Sequence, residues 1–213
     1  VRGSAIALQD AGVSVLDCEH KTPPAQTSGH PYIAIPDIQG GRVILDQARL
    51  ISTDDLAEWT RRTVPTKGDI LVTRRGRVGD TAPVPEVPCA IGQNLVLLRS
   101  DGTNVDANYL RWAVRSPEWW GEVERLRNVG AVFSSLNVKD IGRIRLSFPP
   151  LSEQQAIAEV LGALDDKIAA NTALAERADE LVRLEYKAID ARRMKVGDVA
   201  NSTRKGIDPA TLK

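Results

Sequence analysis

The chain has 213 residues, 42% of them hydrophobic and 26% charged, and its 28 Lys and Arg balance 28 Asp and Glu to a formal net charge of zero. That is the composition of a globular chain with enough residues for one good core or two small ones. No apolar run reaches the length of a membrane span, and the N-terminus "VRGSAIALQD" lacks the basic, apolar, small-residue order of a secretory leader, so a cytoplasmic location is expected. Cys18 and Cys89 are too few for a disulfide framework and stand in no CxxC or Cys/His zinc spacing; buried free thiols are expected. The chain opens on Val1 rather than Met, which marks it as an expected piece of something longer.

The neutral total hides a partition. Residues 1–151 carry 18 basic and 17 acidic side chains, residues 152–190 carry 4 and 9, and residues 191–213 carry 6 and 2. Within residues 61–77 six basic side chains (Arg61, Arg62, Lys67, Arg74, Arg75, Arg77) stand against Asp69 alone. Such a cluster either meets a polyanion or forms a solvated rim.

In chain order, the first 151 residues read as short strands. "HPYIAIPDI" and "GGRVILDQARLI" are β-branched and apolar runs bounded by Gly and Pro; "GDILVTRRG" is a strand closed by basic residues, and "CAIGQNLVLLRS" another apolar run. Two segments have the helical period instead. "STDDLAEWTRRT" opens on a Ser/Thr/Asp cap, and "DANYLRWAVRSPEWWGEVERLRN" places Tyr109, Leu110, Ala113 and Val114 on one face, with Pro117 ending or kinking the helix before residues 118–127 restart it. "GAVFSSLNVKDIGRIRLSFPP" then offers a polar loop, a turn or short helix at residues 137–141 and a closing strand. Trp59, Trp112, Trp119 and Trp120, at helical spacing beside Leu110 and Val114, are expected in the core rather than exposed for stacking.

From Ser152 the character changes. Ser152 with Gln155 three residues on forms a capping box, and no Gly or Pro follows Gly162 until Gly197. Ile157, Leu161, Leu164, Ile168, Asn171, Ala175, Ala178, Val182 and Ile189 recur at steps of four and three or a whole heptad, the pattern of a coiled-coil seam with one polar place. A single helix over 152–192 would be roughly 60 Å long at about 1.5 Å per residue, against roughly 35 Å for a compact domain of the preceding length. Its far half is therefore expected to need a mate, and Asn171 to fix register, unless the chain turns at "AANTA". Residues 193–213 contain Gly197, Gly206 and Pro209 and read as the start of a second module or a tail.

Taken together, "CEHKTPP", "HPYIAIPDI", "KGDILVTRRGRVGDTAPV", "AIGQNLVLLR" and "SSLNVKDIGRIRLSFPPLSEQQAIAEVLGALDDKIAANTALAE" resemble the specificity subunit of type I restriction-modification systems over about residues 17–189. The resemblance implies an α+β fold: a target-recognition domain of short strands and packed helices over 1–151, then a long coiled-coil-forming spacer helix. It implies sequence-specific binding of double-stranded DNA by a chain that is not an enzyme. Methyltransferase subunits and an endonuclease/translocase subunit would be its partners, and S-adenosylmethionine, ATP and Mg would be bound on those partners rather than here. A second recognition half, in the same native chain or in a homodimer mate, would pair through the helix. The residues agree with that division of labour: no NPPY-type methylation motif, phosphate loop of the GxxxxGK[ST] kind or nuclease metal cluster is visible, and His20 and His30 sit in turn-rich stretches without a catalytic set around them.

Candidate DNA contacts fall in loops, each with a structural alternative. Arg74, Arg75 and Arg77 follow a strand between glycines and suit phosphate or guanine, or a strand-end ion pair. Lys21 and Thr22 form a donor-rich turn held by Pro23 and Pro24, or a plain surface turn. Ser134, Ser135 and Asn137, with Lys139, are compact hydrogen-bonding groups, or caps for the following turn. Gln93 and Asn94 are amides suited to adenine, or turn closers. The competing class of function is a helix-mediated assembly adaptor without DNA sequence specificity.

Overall fold

The computed structural model describes residues 4–129 and 134–188. It divides into two compact units, residues 1–162 and 163–213. The strands are β1 (Ile6–Ala7), β2 (Val13–Asp17), β3 (His30–Ile33), β4 (Ile38–Gln39), β5 (Arg42–Val43), β6 (Arg49–Ile51), β7 (Ile70–Thr73), β8 (Thr81–Pro83), β9 (Ala90–Ile91), β10 (Leu95–Ser100), β11 (Asn128–Val129), β12 (Ser134–Ser135) and β13 (Arg145–Leu146). The helices are α1 (Thr53–Trp59), α2 (Ala107–Ala113), α3 (Pro117–Leu126), α4 (Val138–Ile141) and α5 (Leu151–Ala188), with a 3-10 turn at Ile35–Asp37. The fold is thus mixed α and β with a long C-terminal helix, as the sequence predicts.

The central sheet is antiparallel in the order β2-β10-β7-β8, with Leu97 opposite Leu16 on one side and Leu71 on the other. Both faces are covered, which is why β7 and β10 read as continuous apolar runs rather than alternating ones. Ile70, Val72, Val96 and Leu98 join Leu110 of α2, Val114 at its C-cap and Trp119 of α3 in one core. Leu71, Leu95 and Leu97 point to the opposite face and join Ile33, Ile38, Ile91 and Cys18 in another. A second sheet, β6-β3-β9, pairs β3 antiparallel to β6 and parallel to β9, and packs Tyr32, Ile51 and Ala90 against Trp59 of α1.

Polar groups taken into this core are paired. Asp69, 1% exposed, accepts from Arg99 Nε at 2.7 Å and Nη2 at 2.6 Å, and from the Thr66 amide at 2.8 Å. The bonded Asp69 carboxylate raises the Arg99 guanidinium further above its ordinary value. Three helix starts are capped: Ser52, within the Ser/Thr/Asp cap that the sequence predicts, and Asp106 and Ser116 accept from the amides of Asp55, Tyr109 and Trp119. Pro117 opens α3 at its first turn, where its missing N–H costs nothing.

Two expectations are corrected. Trp59 and Trp119 are buried, but Trp112 is only partly so and Trp120 is 43% exposed. Neighbours on a helix stand about 100° apart, so once Trp119 faces the core Trp120 cannot, and Trp112 lies about 200° round from Leu110. Trp112 is covered instead by the Arg111 guanidinium, 4.5 Å above its ring. The Ser152–Gln155 capping box is also not how α5 begins. The helix starts at Leu151, its first amide bonds run from Glu153 and Gln154 to the Pro150 carbonyl, and Ser152 and Gln155 are exposed. Gln154 does the anchoring. It is fully buried, accepts from the Asp106 amide at 2.8 Å and donates to the carbonyls of Asn104 and Pro149, both at 2.8 Å.

The helix α5 runs 38 residues without a break at "AANTA", where the Thr172 hydroxyl bonds back to the Ile168 carbonyl at 2.9 Å. Of the expected seam, Leu161 is partly buried and Ile157, Leu164, Ile168, Asn171, Ala175, Ala178 and Val182 are exposed; Ile189 lies outside the described residues, as do residues 193–213. Among the described residues no helix is long and apolar enough to cross a membrane.

Candidate functional site

The hairpin between β7 and β8 is the centre of the candidate surface. Thr73 closes it, donating from its hydroxyl to the Arg77 carbonyl, while the Gly79 amide returns to the Thr73 carbonyl at 3.0 Å and the Thr73 amide donates to Asp80 at 2.9 Å. Gly79, at φ 88°, takes the left-handed backbone this path requires. Arg74 and Arg75 leave β7 between two neighbouring segments. The Arg74 amide donates to the Asn94 carbonyl, and its own carbonyl accepts from the Leu136 amide, both at 2.8 Å; Arg75 bridges Ser135.

The turn at residues 92–95 is fixed from behind. Its Gly92 amide donates to the Ile33 carbonyl at 2.7 Å, and a Cβ at Gly92 would stand 3.0 Å from that same oxygen. The buried Cys18 thiol donates to the Gly92 carbonyl at 3.1 Å. Burial, with Asp17 beside it, pushes that thiol up to about 12, so it stays a protonated donor across physiological pH. Arg74 Nη2 reaches the Gln93 carbonyl at 3.2 Å, while its Nε is buried with no hydrogen-bond partner among the described residues.

The turn carrying Lys21 and Thr22 is held by its backbone. The Lys21 carbonyl accepts from Trp59 Nε1 at 2.9 Å and from the Tyr32 hydroxyl at 3.2 Å. Thr22, Gln93 and Asn94 line one cleft of about 380 Å³, floored by Tyr32 and the 3-10 turn. The fold therefore brings Thr22, Gln93, Asn94, Arg74, Arg75 and Ser135 into one run of neighbouring segments, although they are spread over 114 positions of the sequence.

Other sequence candidates are placed differently. Arg77 turns to the fold: its Nη2 donates to the carbonyls of Ile35 (2.7 Å) and Ile38, and its Nε stands 3.4 Å from Asp80, so the strand-end ion pair describes it. Asn137 sits at the N-cap of α4 but gives its amide to the Asp140 carboxylate at 2.9 Å. Lys139, on α4, lines a different groove with Gln9, Ser14 and Asp101 beside β2. Ser134 pairs with Val129 through the β11–β12 ladder, next to Ser135.

The basic cluster of residues 61–77 is also divided. Arg61 and Arg62 pair with Glu19 (3.5 and 3.0 Å), and Lys67 with Glu86. Arg75 alone of the six is exposed with no ion pair or side-chain hydrogen bond among the described residues. The sequence reading missed Gln47 and Arg49, which complete the lining of the 380 Å³ cleft. Their signal was weak: both lie in "DQARLI", a strand edge whose polar residues look like an ordinary solvated face. Among the described residues no group of three or more His, Cys, Asp or Glu is gathered as a metal site would gather them.

Comparison with known proteins gives a consistent set of likenesses. The family model of the type I restriction modification DNA specificity domain matches residues 19–179. A Methanocaldococcus jannaschii protein named as type I restriction enzyme MjaX specificity subunit is 38% identical over 104 residues, covering 47% of this chain and 23% of that one. Among solved structures, the S subunit of a type I restriction-modification system from M. genitalium superposes with a TM-score of 0.61 at 20% identity, covering 86% of this chain and 44% of that one. The HsdS subunit from Thermoanaerobacter tengcongensis does so at 0.55 and 22%, covering 85% and 42%. The chain thus spans less than half the length of each of these relatives.

Proposed function

Because the chain belongs to the type I restriction-modification DNA specificity domain family, we propose that its globular unit reads one part of a DNA sequence and that α5 joins it to a second such part. Specificity subunits of these systems are not catalytic. The methyltransferase and endonuclease/translocase subunits would act where this chain directs them, carrying S-adenosylmethionine, ATP and Mg between them. The mate of α5 is another helix of the same kind, from a second recognition half of the native chain or from a copy.

One observation carries the DNA reading. Loops that are far apart in sequence converge at Arg74 and Arg75, where, among the described residues, a guanidinium with an unpartnered buried Nε and an exposed, unpaired one stand beside two amides and Ser135. Phosphate is the natural counter-charge for the first pair, and base edges for the amides.

The test is a random-duplex selection followed by titration of the enriched sequence at several salt concentrations. Replacing Arg74 and Arg75 together by Ala should weaken binding and lower the slope of log affinity against log salt by about 2, near 0.9 per lost phosphate contact. Lys67→Ala, at a residue already neutralised by Glu86, should leave the slope unchanged. An undiminished slope in the double variant removes these arginines from the interface. Enrichment of no motif favours an assembly adaptor instead.

A further inference from the structure

The cleft beside the arginines has a construction that the DNA reading alone does not use. The strand β3 lies between β6 and β9, antiparallel to the first and parallel to the second. The start of β6 and the end of β9 therefore come together at the C-terminal end of β3. Arg49 and Gln47 stand on one side of that end, Gln93 and Asn94 on the other, over a floor made by Tyr32 and the 3-10 turn.

The two walls are chemically matched to bases. Arg49 is exposed, and among the described residues its hydrogen bond runs from Nη1 to the Pro23 carbonyl at 3.2 Å. A guanidinium has five N–H donors in a fixed fork, so this one bond orients the group and leaves donors over. Gln47 is exposed and has no hydrogen bond among the described residues. The one carboxylate in the cleft, Asp37, is buried and accepts from the Ala34 amide at 2.7 Å, and among the described residues no ion pair joins it to Arg49. Guanine offers two acceptors to an arginine fork, and adenine an acceptor and a donor to a carboxamide.

We propose that this cleft is the specificity pocket of the surface, taking purine edges of duplex DNA between Arg49 and Gln47 on one wall and Gln93 and Asn94 on the other. The inference rests on the DNA reading above and adds two residues to it, Gln47 and Arg49, with base discrimination rather than phosphate binding as their role.

The experiment is the same random-duplex selection on the full chain, run for the wild type and for Arg49→Ala, Arg49→Lys and Gln47→Ala. Expected is a wild-type motif in which each variant loses preference at one or two adjacent positions, by about tenfold to hundredfold, while the remaining positions keep theirs. Arg49→Lys should fail at the same position as Arg49→Ala, because a point ammonium cannot replace the planar fork. Should Arg49→Ala lower the melting temperature through loss of the Pro23 tie, Gln47→Ala, which breaks no bond, decides. An unchanged motif in Gln47→Ala and Arg49→Lys overturns the pocket, as does a uniform loss of affinity with a shallower salt slope, which would make Arg49 a phosphate contact. A wild type that enriches no motif strikes the underlying DNA reading, a different outcome from either.

Discussion

Gly79 ties the arginine hairpin to the body of the domain through the space it leaves. A Cβ there would lie 2.7 Å from Val123 Cγ1 and 3.1 Å from Trp120 Cζ3, and its φ of 88° disfavours any side chain. Gly76, in the same hairpin, also has a left-handed φ of 67° but nothing within 4 Å of its missing Cβ. Backbone strain alone costs about 1–2 kcal/mol, and overpacking against α3 adds about 1–3 kcal/mol. Gly79→Ala should therefore shift the denaturation midpoint by clearly more than Gly76→Ala; equal shifts would mean that the close approach to α3 contributes nothing. At this scale the sequence told part of the story. It located the basic cluster and the amides, because these are local runs. It did not tell which of the six basic side chains were free, because Glu19 and Glu86, which pair with Arg61, Arg62 and Lys67, come from other segments. Nor did it single out Arg49, whose place opposite Gln93 is created by a three-strand order that no short window contains.

Among the elements, α5 shows where a local signal and a tertiary one competed. Ser152 and Gln155 have the spacing of a capping box, yet the helix opens one residue earlier, because Gln154 can satisfy the Asp106 amide and two carbonyls in a buried setting. The Asp106 amide opens α2 while its side chain caps that helix at Tyr109, so Gln154 couples the starts of two helices. Removing its amide takes the partner from the Asp106 amide and from the Asn104 and Pro149 carbonyls, all in half-buried bonds. Gln154→Leu should cost about 2–4 kcal/mol, against about 0.5 kcal/mol or less for Gln155→Leu on the exposed face. Urea unfolding of the two variants checks this, and comparable losses would return the anchoring role to the local box. The cap at Ser52 was legible because cap and amide lie three residues apart; the Gln154 bonds span up to 50 residues, and no cap rule reaches that far.

For the whole molecule, the long helix raises the question of what covers it. The heptad spacing of its apolar residues was legible in the sequence, since a heptad is a local period, and the structure adds exposed Val160, Leu174 and Leu181, each seven or fourteen residues from another, along one flank of them. Leu164, Ile168 and Val182 are 52%, 60% and 62% exposed. Burying a large aliphatic side chain fully gains about 1.5–3 kcal/mol, so a stripe of this length favours a mate over water once the cost of association is met. A copy of the same chain is one such mate. Light scattering should then give a mass near twice the 23.2 kDa of one chain at tens of micromolar, about the range in which a weak pair of helices associates. Replacing Leu164 and Ile168 by Glu should return it to one chain, with the melting of residues 1–162 unaltered because neither residue belongs to that unit. A wild type that stays at 23.2 kDa over the same range would leave the stripe to a helix of a different chain or of a second recognition half.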